Sequence, residues 1–155
     1  MTSVAETVDE VIMTEIVLPG HTNALGTVFG GVIMSWIDIA AAIAAQRYCR
    51  KPCVTASIDD LSFVSAVKKG WFVRIKARVN YTSKTSMEIG VRVDAENPRT
   101  GEFFHTSTAY LTFVALDDNG KPTSVPPLIA KTDDEKRRHA EAVKRREYRL
   151  KRRVK

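Results

Sequence analysis

The stretch Val28-Phe-Gly-Gly-Val-Ile-Met-Ser-Trp-Ile-Asp-Ile-Ala-Ala-Ala-Ile-Ala-Ala-Gln-Arg-Tyr48 is a long apolar segment, and it decides the fold. It contains no proline, its two glycines lie near its start, and five of the six residues from Ala40 to Ala45 are alanine. This pattern predicts one long α-helix. Because its apolar residues point in nearly all directions, we expect a helix that is buried on most sides.

The segments that follow this helix alternate apolar and polar residues with the two-residue period of a β-strand. From Trp71 to Tyr81 the alternation predicts a strand in which Tyr81 shares its face with Val73. Met87 to Ala95 repeats the alternation and places Glu88 on the polar face. Two consecutive strands of this kind predict antiparallel neighbours with one face on the core.

Three further parts of the chain have strand character. Val11 to Val17 is short, whereas Phe103 to Leu116 is apolar on both faces, which predicts a central strand. Val54 to Ile58 and Leu61 to Val67 are either two short strands or one strand with a bulge at Asp59-Asp60. The order of elements predicts an α+β fold in which a curved antiparallel sheet wraps one long buried helix.

The sequence divides into a frayed N-terminus (1–10), a single domain (11–130) and a basic helical extension (131–155). The formal net charge of +6 belongs to the extension, which holds 12 Lys and Arg against 5 Asp and Glu. The rest of the chain is nearly neutral, so a nucleic-acid partner is not expected. Thr132 and Glu135 have the spacing of a capping box, which predicts that the C-terminal helix begins there.

The basic extension leaves three interpretations open. A solvated helix on the protein surface is the one we favour. The alternatives are electrostatic steering of a polyanionic ligand and weak binding to RNA or to an acidic membrane surface. Deleting residues 131–155 would separate them, because only the last two require the positive charge.

Location and cofactors follow from what the sequence lacks. No apolar segment is long enough to span a bilayer and no secretory signal is visible, so we expect a cytoplasmic protein. Cys49 and Cys53 are spaced C-x3-C, which matches no redox or zinc motif, and the three histidines are scattered. We therefore expect reduced thiols and no metal.

Asp38 is the only charged residue between His21 and Gln46. An isolated carboxylate within an apolar helix requires either a local polar partner or a chemical purpose, such as general base catalysis. The Gly30-Gly31 pair at the helix start is either a tight entry turn or a source of backbone N–H groups for an oxyanion. Asn23 in the preceding loop is either a turn residue or a ligand for a water or a carbonyl.

In combination these residues resemble a known family. The pattern Asn23-x-x-Gly26-x-x-Phe29-Gly30-Gly31-x-x-Met34-x-x-x-Asp38 is similar to that of hotdog-fold acyl-CoA thioesterases, in the branch of the YciA-like and brain-type acyl-CoA hydrolases. The resemblance covers about residues 10–130. It continues in three further motifs: Tyr81-Thr-Ser-Lys-Thr-Ser-Met-Glu-Ile, Thr112-Phe-Val-Ala-Leu-Asp and Val125-Pro-Pro-Leu.

The resemblance implies hydrolysis of an acyl-CoA thioester to a carboxylic acid and CoA. It implies that Asp38 is a general base or a nucleophile, that the Gly30 N–H binds the thioester oxygen, and that Asn23 positions the carbonyl or water. The residues implied in binding the substrate and its CoA part are Gly31, Thr55, Ser57, Ser83, Lys84, Thr85 and Ser86. CoA enters only as part of substrate and product, and no metal or redox cofactor is implied.

The resemblance also implies a homodimer at least, with a trimer of dimers as the larger assembly. The active site lies at the dimer interface, so Asn23 and Asp38 can come from different protomers. Related hotdog dehydratases use a histidine paired with an acid, and the pattern around Asn23 favours the thioesterase instead. A hotdog module that binds CoA or acyl-CoA without hydrolysis remains the alternative function.

Overall fold

The computed structural model describes residues 10–153. The predicted frayed N-terminus, apart from Glu10, lies outside the described residues. The described elements, in chain order, are β1 (Val11–Ile16), a short 3-10 helix (Pro19–His21), α1 (Gly30–Cys49), β2 (Cys53–Phe63), β3 (Phe72–Thr82), β4 (Ser86–Glu96), β5 (Phe103–Ala115) and α2 (Asp133–Arg152).

The five strands form one antiparallel sheet in the order β1-β3-β4-β5-β2. Helix α1 contacts all five strands, and its apolar side chains join those of the sheet in one hydrophobic core. Burial of this shared apolar surface is the main stabilising contribution, at roughly 25 cal/mol per Å². The predicted α+β architecture is confirmed, and so is the interior position of β5, which lies between β4 and β2.

Helix α1 was predicted to be buried on most sides. The face toward the sheet is buried: Ile37, Ala40 and Ala41 have no exposed surface. Ile39, which faces away from the sheet, is 48% exposed, and Met34, nearer the start of the helix, is 40% exposed. The predicted buried helix is therefore confirmed, because most of its residues are buried or half-buried, and only a minority of positions stay exposed in one protomer.

Strand β3 contains a bulge that reverses the predicted direction of Tyr81. Val79 pairs with Ile89, whereas Tyr81 pairs with Glu88, so one extra residue lies in β3 at Asn80. A bulge of this kind shifts the alternation of the residues beyond it to the other face. Tyr81 accordingly shares the outer face of the sheet with Glu88, and the predicted grouping with Val73 was wrong.

Of the two alternatives for this segment, one continuous strand with a bulge at Asp59-Asp60 is the one observed, and β2 ends at Phe63 rather than at the predicted Val67. The pairing with β5 shifts between Asp59 and Ser62, where Asp60 has a φ of 54° in the left-handed region. A second shift lies between Thr55 and Ser57, so Ala56 is an extra residue in β2. This edge strand therefore departs twice from regular alternation.

Helix α2 is docked on the outer face of the sheet, opposite α1. The capping box at Thr132 and Glu135 is formed as predicted: the hydroxyl of Thr132 accepts the Glu135 N–H at 3.1 Å. Arg145 donates to both carboxylate oxygens of Glu88 at 2.8 and 2.9 Å, and its guanidinium lies 3.6 Å from the centre of the Tyr110 ring. Part of the charge of this basic helix thus neutralises acids of the sheet.

Candidate active site

The first turn of α1 presents unused N–H groups. Phe29 caps the helix with extended backbone angles and without a side-chain hydrogen bond. The N–H groups of Gly30 and Gly31 donate to no acceptor among residues 10–153. Free amides at a helix N-terminus carry partial positive charge and bind anions or developing oxyanions.

Asp38 lies two turns further along α1 and is half-buried in the single chain. The Thr55 hydroxyl donates to its Oδ1 at 2.6 Å, which joins the helix to strand β2. The second oxygen, Oδ2, accepts no hydrogen bond from the part of the chain that the structure describes. Asp38 therefore has one oxygen held in place and one available for a proton or for a carbonyl carbon.

Asn23 lies on an exposed loop and its amide is used within that loop. Its Oδ1 accepts the N–H groups of Leu25 at 2.9 Å and Thr27 at 3.2 Å, and its Nδ2 donates to the Thr27 hydroxyl at 3.0 Å. Within residues 10–153 no hydrogen bond joins Asn23 to Asp38. The single chain thus brings Thr55 to Asp38, but it does not bring Asn23 there.

The two hydroxyls predicted on β2 lie on opposite faces of the sheet. Thr55 is opposite Phe113, which is in the core, whereas Ser57 is opposite Thr112 on the side of α2. The Ser57 Oγ is buried and has no partner among the described residues. The sequence left the choice between them open, and the bulge at Ala56 is the reason that only Thr55 contacts Asp38.

The predicted CoA-contacting residues form the turn between β3 and β4. Ser83 donates its N–H to the Ser86 carbonyl at 2.8 Å, and the two hydroxyls are 2.7 Å apart. The Lys84 carbonyl accepts the Val125 N–H at 3.0 Å, while the Lys84 side chain is exposed. This turn is a compact polar end of the hairpin, with one ammonium group available to solvent.

The histidine and cysteine side chains nearest this site, which could also take part in chemistry, contact other residues of the fold. His21 accepts the Leu18 N–H through Nδ1 at 3.0 Å and packs edge-on against Trp36, with ring centres 5.2 Å apart. Cys49 and Cys53 are free thiols whose sulfur atoms are 3.3 Å apart. Over residues 10–153 no group of three or more His, Cys, Asp or Glu side chains is placed to hold a metal ion. No helix in the same range is both long and apolar enough to cross a bilayer.

Glu88 is a residue whose environment the sequence did not reveal. Its alternation predicted a solvent-facing carboxylate, yet it is 4% exposed and is held by Arg145 and by the Asn80 amide at 3.1 Å. A pairing across 57 positions leaves no local signal in the sequence. The excess of basic residues in 131–155 was the only feature of the sequence that could indicate a cationic partner for Glu88.

Comparisons with known proteins identify the family and the fold. The model of the thioesterase superfamily matches residues 25–102. A Bacillus subtilis protein named as an uncharacterised acyl-CoA thioester hydrolase, YkhA, is 42% identical over 88% of this chain and 79% of its own length. A hexameric acyl-CoA thioesterase has a TM-score of 0.89 at 43% identity, covering 92% of each chain.

A second solved structure, an acyl-CoA hydrolase from Staphylococcus aureus, was determined with butyryl-CoA, CoA and CoA disulfide. It has a TM-score of 0.87 and 36% identity, and it covers 94% of this chain and 88% of its own. Structures of the same enzyme exist with single alanine replacements at an asparagine, an aspartate and a threonine. The matched family model and the shared architecture agree, and this chain therefore belongs to the thioesterase superfamily as a hotdog-fold member.

Proposed function

We propose that this protein hydrolyses an acyl-CoA thioester to a carboxylic acid and CoA. The observation that carries the proposal is the Asp38 carboxylate, which Thr55 holds by one oxygen. It lies on the helix whose first amides have no acceptor within the described range. Such a carboxylate and such donors are the two groups that hydrolysis of an acyl compound requires.

In the proposed reaction Asp38 acts on the carbonyl carbon in one of two ways. As a general base it takes a proton from water, whose oxygen then bonds to that carbon. As a nucleophile it bonds to the carbon directly and forms an anhydride, which water later opens. In both cases the carbonyl oxygen becomes an oxyanion that the Gly30 N–H binds, the C–S bond breaks, and the thiolate of CoA leaves and is protonated.

The spacing of the three replaced residues in the Staphylococcus aureus enzyme supports the choice of residues. Its asparagine and aspartate are 15 positions apart, and its aspartate and threonine are 17 positions apart. Asn23, Asp38 and Thr55 have the same two spacings. We therefore propose that these three residues act together, with Asn23 orienting the carbonyl or the water.

Helix geometry supports an active site built from two protomers. Gly30 and Asp38 are eight residues apart on α1, which is about 12 Å along a helix that rises 1.5 Å per residue. An oxyanion donor and a base must both lie about 3 Å from the same reacting group. One helix therefore cannot supply both groups to one thioester, and we propose that a second protomer supplies one of them.

The exposed apolar side chains of α1 support the same assembly. Met34 and Ile39, on the helix that carries Asp38, are 40% and 48% exposed in the single chain, and Phe29, which caps this helix, is 58% exposed. Covering them with a second protomer would bury apolar surface and exclude water from the site. Because a solved neighbour is hexameric, we propose a trimer of such dimers.

The CoA end of the substrate is proposed to lie along Ser83, Lys84, Thr85 and Ser86, with Gly31 adding a backbone N–H near the thioester. The exposed Lys84 ammonium suits a phosphate group. The cytoplasm, where acyl-CoA is available, remains our predicted location. The alternative function is a module that holds acyl-CoA without hydrolysis.

The decisive experiment is thiol release from a panel of acyl-CoAs by wild type, Asp38→Ala and the control Asp118→Asn. Asp118 is exposed in the turn after β5, so its loss of charge should leave the rate unchanged. We expect Asp38→Ala to lower kcat by about three orders of magnitude. Tight CoA binding by calorimetry without release of thiol from any substrate would establish the binding module instead.

A further inference from the structure

Along its length, helix α2 contacts the strands of the sheet one after another in their spatial order, β3, β4, β5 and β2. His139 packs against Tyr81 of β3, with ring centres 5.0 Å apart. Arg145 next binds Glu88 of β4 and stacks on Tyr110 of β5. Near its C-terminus the helix reaches β2, where Arg149 Nη1 lies 3.0 Å from the Asp59 Oδ2. The helix thus ends on the edge strand that carries Thr55.

The bulge at Ala56 lets β2 bind both helices at once. Residues four apart in a regular strand share a face, so Thr55 and Asp59 would point to the same side. The extra residue reverses the alternation between them. As a result Thr55 bonds to Asp38 on α1, while Asp59 pairs with Arg149 on α2.

Within a single protomer, this part of β2 is bonded to a neighbouring strand on one side only. It lies at the edge of the sheet, it contains two irregularities, and Asp60 has a positive φ. A cleft of about 360 Å³ opens here, lined by residues that include Ile58, Asp60 and Lys144. Beside this open space the Arg149–Asp59 pair spans from helix to strand, with side chains that are 16% and 23% exposed.

We propose that Arg149 is a positioning residue for the reaction. Its pair with Asp59 fixes the bulged part of β2, and the fixed strand keeps the Thr55 hydroxyl directed at Asp38. Arg149 itself touches no reacting atom in this arrangement. The inference rests on the proposed function for its kinetic part, whereas the effect on β2 can be measured without any activity.

The test compares Arg149→Gln with Arg137→Gln in the full-length protein. Both variants lose one positive charge from α2, so any steering of an anionic substrate changes equally. Arg137 pairs only within the helix among the described residues, with Asp134 at 2.6 Å and Glu141 at 3.5 Å. For Arg149→Gln we expect kcat to fall about tenfold with KM nearly unchanged, since a small displacement of a catalytic group costs rate and not ground-state binding. Arg137→Gln should retain both constants.

Amide hydrogen exchange supplies a second, independent readout. Arg149→Gln should speed exchange in residues 53–63, and Arg149→Lys, which keeps a cation for Asp59, should restore most of the protection and the rate. Unchanged exchange in β2, or equal effects of the Arg149 and Arg137 variants, would overturn the proposal. Arg149→Gln could also speed exchange in β2 although the wild type hydrolyses no acyl-CoA. That result would support stabilisation of β2 by Arg149 and would refute only the proposed function.

Discussion

The Thr55 hydroxyl lies 2.6 Å from Asp38 Oδ1, across 17 positions of sequence and between two different elements. This hydrogen bond fixes the rotamer of Asp38 and leaves its other oxygen without a donor among residues 10–153. A hydroxyl on the sheet therefore determines where the second oxygen of Asp38 points.

Replacing Thr55 with valine removes this hydroxyl and keeps the branched shape of the side chain. We expect kcat to fall 10- to 100-fold, in the range of a lost hydrogen bond to a charged group, with a smaller change in KM. In the Asp38→Ala background the same replacement should cost almost nothing, because the two residues act as one unit. Additive losses in a double-mutant cycle would contradict this dependence.

At Gly30 the contribution of the backbone N–H can be tested separately from the effect of an added side chain. Gly30 is the first residue of α1, where proline is tolerated, and Phe29 before it is already extended, with φ −69° and ψ 132°. Gly30→Pro should therefore fold and lower kcat by about 10²- to 10³-fold, because it removes one oxyanion donor.

Gly30→Ala is the matched control, because it adds a side chain and keeps the N–H. The new Cβ would meet the Phe63 ring at 3.6 Å, an ordinary van der Waals distance. Circular dichroism should find both variants folded. If alanine reduces kcat as much as proline does, the N–H is not the group that matters.

If the active site is shared between two protomers, as proposed, two inactive variants should complement each other. In a mixed dimer of Gly30→Pro and Asp38→Ala protomers, one site would hold both defects and the other would be intact. Co-expression with two affinity tags isolates this species, and we expect it to regain activity that neither parent has. A mixed dimer as inactive as its parents would place the complete site within one protomer.

The ion pair between Arg145 and Glu88 should be the strongest single attachment of α2. Its side chains are 19% and 4% exposed, so Arg145→Met leaves a buried carboxylate without its cation. We expect a loss of about 3 kcal/mol in the free energy of unfolding. Arg137→Met, which breaks a pair with 57% and 46% exposure, should cost clearly less, because solvent screens an exposed ion pair. Urea titrations at one protein concentration measure both, and equal losses would argue against docking through Glu88.

The thiol of Cys53 should be unreactive in the folded protein. Burial, followed by its hydrogen bond with Cys49, raises its pKa from 9.0 to about 12. Since only the thiolate reacts, iodoacetamide at pH about 8 should label Cys53 much more slowly before unfolding than after it. The folded state also keeps its proton between the two pKa values, so stability should fall as pH rises from 9.0 toward 12.

Peptide mass spectrometry resolves this labelling, because trypsin cleaves at Arg50, between the two cysteines. If Cys53 is labelled at the same rate in the folded and in the urea-unfolded protein, the prediction that folding protects this thiol is wrong. Melting temperatures measured across the same pH range check the sign of the stability change.

Local periodicity was sufficient for the architecture. The alanine-rich run and the alternating segments predicted α1 and the strands, and the lone charge of Asp38 in that run pointed to the site. Thr55 was found only as one of two candidates, because its direction depends on the bulge at Ala56. The residues around this bulge, Thr55, Ala56 and Ser57, are all small, so their order shows no clear reversal of apolar and polar alternation, whereas the paired acids Asp59 and Asp60 did mark the other bulge of β2.

The outer face of the sheet was beyond prediction for a different reason. Tyr81 was assigned to the wrong face by a second bulge, at Asn80. Glu88 and Arg145 lie far apart in sequence, so neither strand nor helix periodicity could relate them. The basic extension accordingly resembled a solvated helix, whereas part of its charge is matched by acids elsewhere in the chain.

Because of the extra residue at Ala56, β2 cannot gain or lose a residue without turning its side chains to the other face of the sheet. Deleting Ala56 would preserve almost the whole composition of the strand, yet it would turn Asp59 toward α1 and bring a second carboxylate to the side of Asp38. An insertion would be equally damaging, because it would exchange the faces again. The turn at Asp117 to Gly120 can gain or lose residues at the surface, but this strand can diverge only by substitution, and a gap aligned within it should mark a protein that has lost or rebuilt its site.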